Sequence, residues 1–320
     1  MKRTFTAIMM LMVVFLIAAC STESPVEDNG NSASGNNDGD NNIETAGDED
    51  AEYTVGFSIS TLNNPFFVTL QEGTESQAEE LGIELISVDA QDDDAKQVND
   101  IEDLVQRDID VLLINPTDST SVVSAVEIAN EAGIPVITVD RASDGGQIET
   151  HIASDNVAGG EMAGDLLVEL VGEGAQVAEL EGVPGASAAR ERGEGFHNVA
   201  EDNLDVVTSQ TANFDRSEGL TVMENILQGN PDIEGVFAHN DEMALGAVEA
   251  AASVGRDDLV IVGFDATDDA VSAVENGTLA GTVAQQPTLI GEQAMDAAMA
   301  IINGEELEEF VPVELELVRE

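Results

Sequence analysis

From residue 53 onward the chain alternates short apolar, β-branched runs with longer stretches of helical period. Tyr53 to Ile59, Ile83 to Val88, Val111 to Ile114 and Pro135 to Val139 predict the first four strands. Phe66 to Leu81, Ala95 to Gln106 and Ser119 to Ala132 predict helices between them, the last stopped by Gly133 and Pro135. Strand and helix in strict succession predict right-handed βαβ units and a parallel sheet covered on both faces. The pattern then restarts, with strands at Gln176 to Leu180, Asp205 to Ser209, Gly235 to Ala238, Leu259 to Val262 and Thr282 to Ala284. The expected fold class is therefore α/β, with two Rossmann-like lobes. Ligands of such sheets bind beyond the carboxyl ends of the strands. The polar residues at those ends are the first site candidates: Asn63, Asn64, Asp89, Asn115, Asp140, Arg141, Asn240, Asp265 and Gln285.

The N-terminal segment has a different pattern. Residues 1–20 run from Met1-Lys2-Arg3 through the apolar stretch Phe5 to Ile17 and end Leu16-Ile17-Ala18-Ala19-Cys20, the three parts of a secretory signal. A cysteine after two small residues resembles the lipobox of bacterial lipoproteins, which implies lipidation at Cys20; a plain signal cleaved after Ala19 is the alternative. Residues 21–51 are nearly all Ser, Thr, Asn, Gly, Asp and Glu and read as an acidic tether that cannot build a core. An anchor followed by a tether would hold an exported body near the outer face of the cytoplasmic membrane or in the periplasm.

Charge narrows the class of partner. The chain carries 65 Asp and Glu against 10 Lys and Arg, net −55, and loss of Lys2 and Arg3 would leave 8 − 65 = −57. A phosphate backbone would be repelled, so nucleic acid is excluded as a partner. With Lys96 as the only lysine of the mature chain, the surface reads as adapted to high external salt. Screening then predicts a melting temperature that falls as salt drops from molar to tens of millimolar. Where cations are this scarce, each surviving arginine is expected to have a specific partner. One cysteine forbids an internal disulfide, and three scattered histidines argue against a metal site.

Catalysis finds little support. Gly172-Glu173-Gly174 precedes a strand and Gly193-Glu194-Gly195 lacks a third glycine, so neither has the context of a nucleotide fingerprint. His151, Ser154 and Asp155 form a chance trio in a loop, Asp92-Asp93-Asp94 reads as a helix start, and Asn276-Gly277 as a turn. No catalytic residue, metal or cofactor is expected. The strand ends offer amides, carboxylates and guanidinium forks beside phenylalanines, an inventory that suits a sugar: hydroxyls both donate and accept, and ring C–H faces pack on aromatics. Asp140-Arg141 puts acceptors and donors on adjacent residues.

Several blocks carry a family resemblance. They include Ser60-Thr61-Leu62-Asn63-Asn64-Pro65-Phe66-Phe67, Leu113-Ile114-Asn115-Pro116-Thr117-Asp118, Val139-Asp140-Arg141, Ser187 to Phe196 (SAARERGEGF) and Asn240-Asp241-Glu242-Met243-Ala244-Leu245-Gly246. They resemble the bacterial D-ribose-binding proteins, type I periplasmic binding proteins that serve ABC-type importers, over the whole body from about Tyr53. The resemblance implies parallel-sheet lobes joined by a three-crossing hinge near Ser154-Asp155, Gln285-Gln286 and Glu314-Leu315. The lobes would comprise 52–154 plus 286–314 and 155–285 plus 315–320. It implies that Asn64, Asp140, Arg141, Arg192, Asn240, Asp265 and Gln285 hydrogen-bond the sugar and that Phe66, Phe67 and Phe214 sandwich its ring. Arg190 would be a structural ion-pair residue, and Phe57, Phe196, Phe237 and Phe264 core. His239 and Ala266 stand where the family usually has Gln and Gly. The implied function is non-catalytic binding of D-ribose outside the cytoplasmic membrane, with delivery to an ABC-type permease and a chemoreceptor as a further possible partner. The alternatives are another pentose, an allose-like hexose, a furanose-like signal, and, from a different class, a secreted sugar-converting enzyme.

Overall fold

The computed structural model describes residues 52–319. The signal, the tether and Cys20 lie outside the described residues.

The first sheet is ordered β11-β5-β4-β3-β1-β2, with β1 Thr54–Ile59, β2 Glu84–Asp89, β3 Val111–Ile114, β4 Val136–Val139, β5 Thr150–Ser154 and β11 Phe310–Val313. The second is ordered β12-β10-β9-β8-β6-β7, with β6 Gln176–Glu181, β7 Asp205–Thr211, β8 Gly235–Ala238, β9 Val260–Asp265, β10 Gly281–Ala284 and β12 Glu316–Arg319. Parallel register sets Val55 against Val111 and Phe57 against Leu113 in the first sheet, and Val177 against Gly235 in the second. The central strands β3, β4 and β8 are buried along their whole length, as strands covered on both faces must be. The first sheet is covered on one face by α1 (Pro65–Leu81) and α9 (Pro287–Ile302), and on the other by α2 (Asp94–Val105) and α3 (Val123–Glu131). The second is covered by α4 (Asn156–Val171) and α5 (Ser187–Asn203), and by α6 (Arg216–Gly229), α7 (Asp241–Ser253) and α8 (Asp268–Glu275). Phe57, Phe196, Phe237 and Phe264 are fully buried core residues.

The two-lobe α/β expectation holds, and the chain passes between the sheets at Asp155, at Gln285-Gln286 and at Glu314-Leu315. Three strands were not visible in the hydrophobic pattern: β5, β11 and β12. Strand β11 contains Pro312, which cannot donate to a ladder and is tolerated because β11 is an edge. Strand β12 is the exception to the parallel arrangement: it pairs antiparallel with β10. Its direction follows from its route. Strand β11 runs with its sheet toward the hinge and continues across it without a helix, so the chain enters the second sheet pointing away from the cleft. Among the described residues no helix is long and apolar enough to cross a membrane.

Candidate functional site

The carboxyl ends of the strands in both sheets face one another across a small, tightly closed cavity. Its lining is Asn64, Phe66, Phe67, Asp140, Arg141, Arg192, Phe214, Asn240, Asp265 and Gln285, with Ala188 in addition. All ten residues singled out in the sequence are therefore brought together. Asn64 and Phe214 are half-buried and the other eight are buried. A roomier groove next to it shares Phe66, Asp265 and Gln285, and a space on another side shares Asn64, Phe67, Arg141 and Phe214.

Helix capping places the two amides. Asn64 caps α1, its Oδ1 accepting from the Phe66 N–H at 3.0 Å; Asn240 caps α7, its Oδ1 accepting from the Met243 N–H at 3.0 Å. Each therefore keeps its Nδ2 as the group that can reach outward, and Asn240 Nδ2 also donates to Phe214 O at 3.2 Å. Three other site residues need unusual backbone: φ is +63° at Asp140, +61° at Phe214 and +119° at Asp265. Such conformations cost on the order of 1–3 kcal/mol each and persist where the surroundings over-determine them. Phe66 and Phe67 meet edge to face at 5.2 Å, and the Arg141 guanidinium sits 4.9 Å from the Phe67 ring and 5.3 Å from that of Phe214.

The charges are arranged in facing sets. Arg141 Nε lies 4.0 Å from Asp140 Oδ2, and Arg192 Nη1 lies 3.6 Å from Asp265 Oδ1. Gln285 Nε2 donates to Asp265 Oδ1 at 2.8 Å. Burial pushes the Asp140 carboxyl up against the pull of Arg141 and Arg192. It holds Asp265 well above the carboxylate range, and draws Arg141 below its ordinary value. Three buried atoms of the lining have no partner: Asp140 Oδ1, Arg141 Nε and Gln285 Oε1. Two acceptors and one donor in one small cavity are what a molecule rich in hydroxyls would complete.

A supporting layer was only partly foreseen. Asn115, a strand-end candidate, does not line the cavity; it donates to Val139 O at 2.9 Å and Asp140 Oδ2 at 3.4 Å, fixing the Asp140 turn. Asp89 likewise serves the chain, accepting from the Gln91 N–H, and Asn63 lines the outer space. Asn156, missed as a single residue, accepts from Arg192 Nε at 2.9 Å. Asp93 caps α2, and Asp155 caps α4 instead of joining His151 and Ser154, with His151 turned to Thr138 at 2.9 Å. Arg190 pairs with Asp144 at 2.9 Å between the lobes, beside Ser119 N–H to Gly185 O at 3.0 Å and Ala142 N–H to Ser187 Oγ at 2.8 Å. These contacts hold the cleft shut.

Residues 55–306 match the model of a periplasmic binding protein domain. The ribose import binding protein of Bacillus subtilis is 52% identical over 317 residues, covering 99% of both chains. Among solved structures, an ABC transporter solute-binding protein from Bacillus halodurans with bound myo-inositol aligns at TM-score 0.80 and 35% identity, covering 85% of this chain and 96% of that one. One from Actinobacillus succinogenes with bound D-allose aligns at TM-score 0.79 and 30% identity, covering 84% and 98%. With its domain match, its near full-length relative and its two lobes closed over a polar cavity, the chain belongs to the periplasmic binding protein family of ABC importers.

Proposed function

We propose that this protein binds D-ribose in the cavity between its lobes and presents the closed form to an ABC-type permease, without chemical turnover. One observation supports this above the others: Asp140 Oδ1, Arg141 Nε and Gln285 Oε1 are buried, unpartnered and on the walls of one small cavity flanked by Phe66, Phe67 and Phe214. A buried polar atom without a partner costs about 1–3 kcal/mol, so a ligand that satisfies all three gains what the empty protein forgoes. Asn64, Asp140, Arg141, Arg192, Asn240, Asp265 and Gln285 would bond the hydroxyls and ring oxygen, with the three phenylalanines against the ring faces.

Binding would be hinge closure about the three crossings, with 52–154 plus 286–314 as one lobe and 155–285 plus 315–320 as the other. A ligand stabilises the closed form only by contacts it makes there and not in the open one. Micromolar affinity needs about −8 kcal/mol, within reach of this many satisfied hydrogen bonds plus ring packing after ordering costs. The near full-length relative is by name a ribose import binding protein, which supports the same sugar. We place the mature protein outside the cytoplasmic membrane, anchored by lipid at Cys20, and mass spectrometry of a membrane-extracted N-terminal peptide tests that anchor. A cleaved, unmodified Cys20 would refute it.

Calorimetric titration with D-ribose, then with allose, other pentoses and myo-inositol, decides the ligand. One-to-one binding at micromolar or tighter affinity with ribose far ahead of the rest is expected. Preference for a hexose would transfer the role to that sugar, and no heat with any of them would remove the transport reading.

A further inference from the structure

Behind the second-lobe wall of the cavity lies a group of side chains to which sugar contact assigns no work. Glu179, on β6, is fully buried, and its two oxygens have separate partners. Oε1 pairs with His239 Nε2 at 2.9 Å; Oε2 takes His197 Nε2 at 3.0 Å and the Ser209 hydroxyl. His239 follows β8 and is 1% exposed. Its Nδ1 lies 3.3 Å from the backbone N–H of Gly182, a group that can only donate. Nδ1 is therefore the acceptor, and Nε2 carries the proton shared with Glu179.

The same histidine touches the cavity wall from behind. Its carbonyl oxygen accepts from Arg192 Nη1 at 2.6 Å, and the next residue is Asn240. Gly182, its amide partner, is pressed against Phe214 so closely that a Cβ there would stand 2.1 Å from the ring. The imidazole packs 5.2 Å from the Phe237 ring and faces the backbone of Gly193, where an added Cβ would come within 3.3 Å. Protonation at Nδ1 would set N–H against N–H, and because Nε2 is tied to Glu179, the strain falls on Gly182 and, through it, on Phe214. It would also place a second positive charge beside Arg192.

We propose that His239, held by Glu179, is a positioning residue for Phe214 and Arg192, and that its protonation loosens this wall so that the cavity holds a polyhydroxylated ligand less tightly in acid. The inference deepens the sugar-binding reading and rests on it. The titratable or charged groups facing His239 are Glu179 from β6 and His197 and Arg192 from α5. Asp241 at the start of α7 is turned to Thr267 and Thr282, and β7 contributes the neutral Ser209. Burial alone would raise the Glu179 carboxyl, but its hydrogen bonds from His239 and Ser209 and the nearby histidine charges bring it below the ordinary range. The carboxylate is thus the form that accepts the His239 Nε2–H.

The test has two arms on the same protein, with His239→Gln as comparison, because glutamine can still donate to Glu179 and accept from Gly182 without titrating. The first arm needs no sugar: nitrogen-resolved NMR of the imidazoles and of the Gly182 amide, with the Phe214 ring signals, from about pH 8 to about pH 5. The expected result is an Nε2–H tautomer at the alkaline end, and Gly182 and Phe214 signals that move with the midpoint of His239 and lose that step in His239→Gln. The second arm is D-ribose affinity over the same range. Asp140 and Asp265 give both proteins a common acid limb, and the parent should lose roughly three- to tenfold more than the variant. An Nδ1–H tautomer, wall signals indifferent to His239, or identical affinity profiles would overturn the proposal. Should His239→Gln fail to fold, Glu179→Gln must move the His239 midpoint to lower pH; an unmoved midpoint overturns it equally. Absence of ribose binding at both ends of the range would refute the sugar reading instead, and the first arm would still decide the role of His239.

Discussion

The two walls of the cavity are built from similar residue types and finished to different degrees. On the second-lobe wall, Arg192 is engaged before any ligand arrives. It donates to Asn156 Oδ1 at 2.9 Å and His239 O at 2.6 Å, lies 3.6 Å from Asp265, and stacks 3.8 Å over the Phe264 ring. On the first-lobe wall, Arg141 gives one hydrogen bond, from Nη1 to Pro116 O at 3.2 Å, stands 4.0 Å from Asp140, and leaves Nε without a partner. Asp140 Oδ1 is open in the same way. The second-lobe wall is largely prebuilt, with Gln285 Oε1 as its open atom; the first-lobe wall keeps more of its polar capacity for what enters. Two arginines with equal burial can thus have unequal duties, because a guanidinium has five donors to divide between scaffold and ligand.

The largest expected effect separates these duties. Arg192→Ala strips Asp265 and Asn156 of their buried partner, so it should lower unfolding free energy by about 3–5 kcal/mol and abolish measurable sugar binding. Urea denaturation and calorimetry on one preparation read both quantities. Arg141→Ala comes next: affinity should fall by about 2–4 kcal/mol while the urea midpoint moves far less than for Arg192→Ala. Equal stability losses in the two variants would break the comparison between the walls.

A pH experiment sharpens it away from the site. His151, on β5 of the first lobe, is stacked on Phe310 and held by burial to a pKa of about 4, against an ordinary 6.5. The unfolded chain takes up a proton below pH 6.5 that the folded one refuses, so stability is lost as pH falls from about 6.5 to about 4. The loss should be about 1–3 kcal/mol, and His151→Gln should flatten it without changing sugar affinity. An affinity change in that variant would link the His151–Phe310 pair on β5 and β11 to the cavity, which the geometry does not provide. The smallest effect belongs to Ala266, at φ +56° beside Asp265, where a Cβ is strained. Ala266→Gly should raise stability by up to about 1 kcal/mol, read as a higher melting temperature. A lower one would mean that the finished wall depends on that methyl group.

What the chain disclosed in advance follows the range of the interactions involved. Strands β1 to β4 and β6 to β10 are recorded in local runs of apolar residues, and the ligand loops follow them directly, which is why Asn64, Asp140, Asn240 and Asp265 could be named from strand ends. Arg192 and Phe214 sit inside α5 and after β7, away from any strand-end signal, and were named only through the family resemblance of their surroundings. The pairings behind the wall were not legible: Glu179 meets His239 across 60 positions, and Asn156 meets Arg192 across 36. Nor were the positive φ angles at Asp140 and Phe214: aspartate tolerates a left-handed backbone but adopts it at few of its positions, and phenylalanine seldom does. The last two strands were hidden because each is a four-residue edge strand, β11 broken by Pro312 and β12 carrying charged residues at both ends, so neither has the length or pattern to stand out.

The most direct test of the central claim is a crystal structure of the protein grown with D-ribose. One sugar ring is expected between Phe66, Phe67 and Phe214, with Asp140 Oδ1, Arg141 Nε and Gln285 Oε1 each within hydrogen-bond distance of it. A closed cleft with these three atoms still unpaired and the sugar elsewhere, in the wider groove by Thr69 and Asp268 for example, would contradict it.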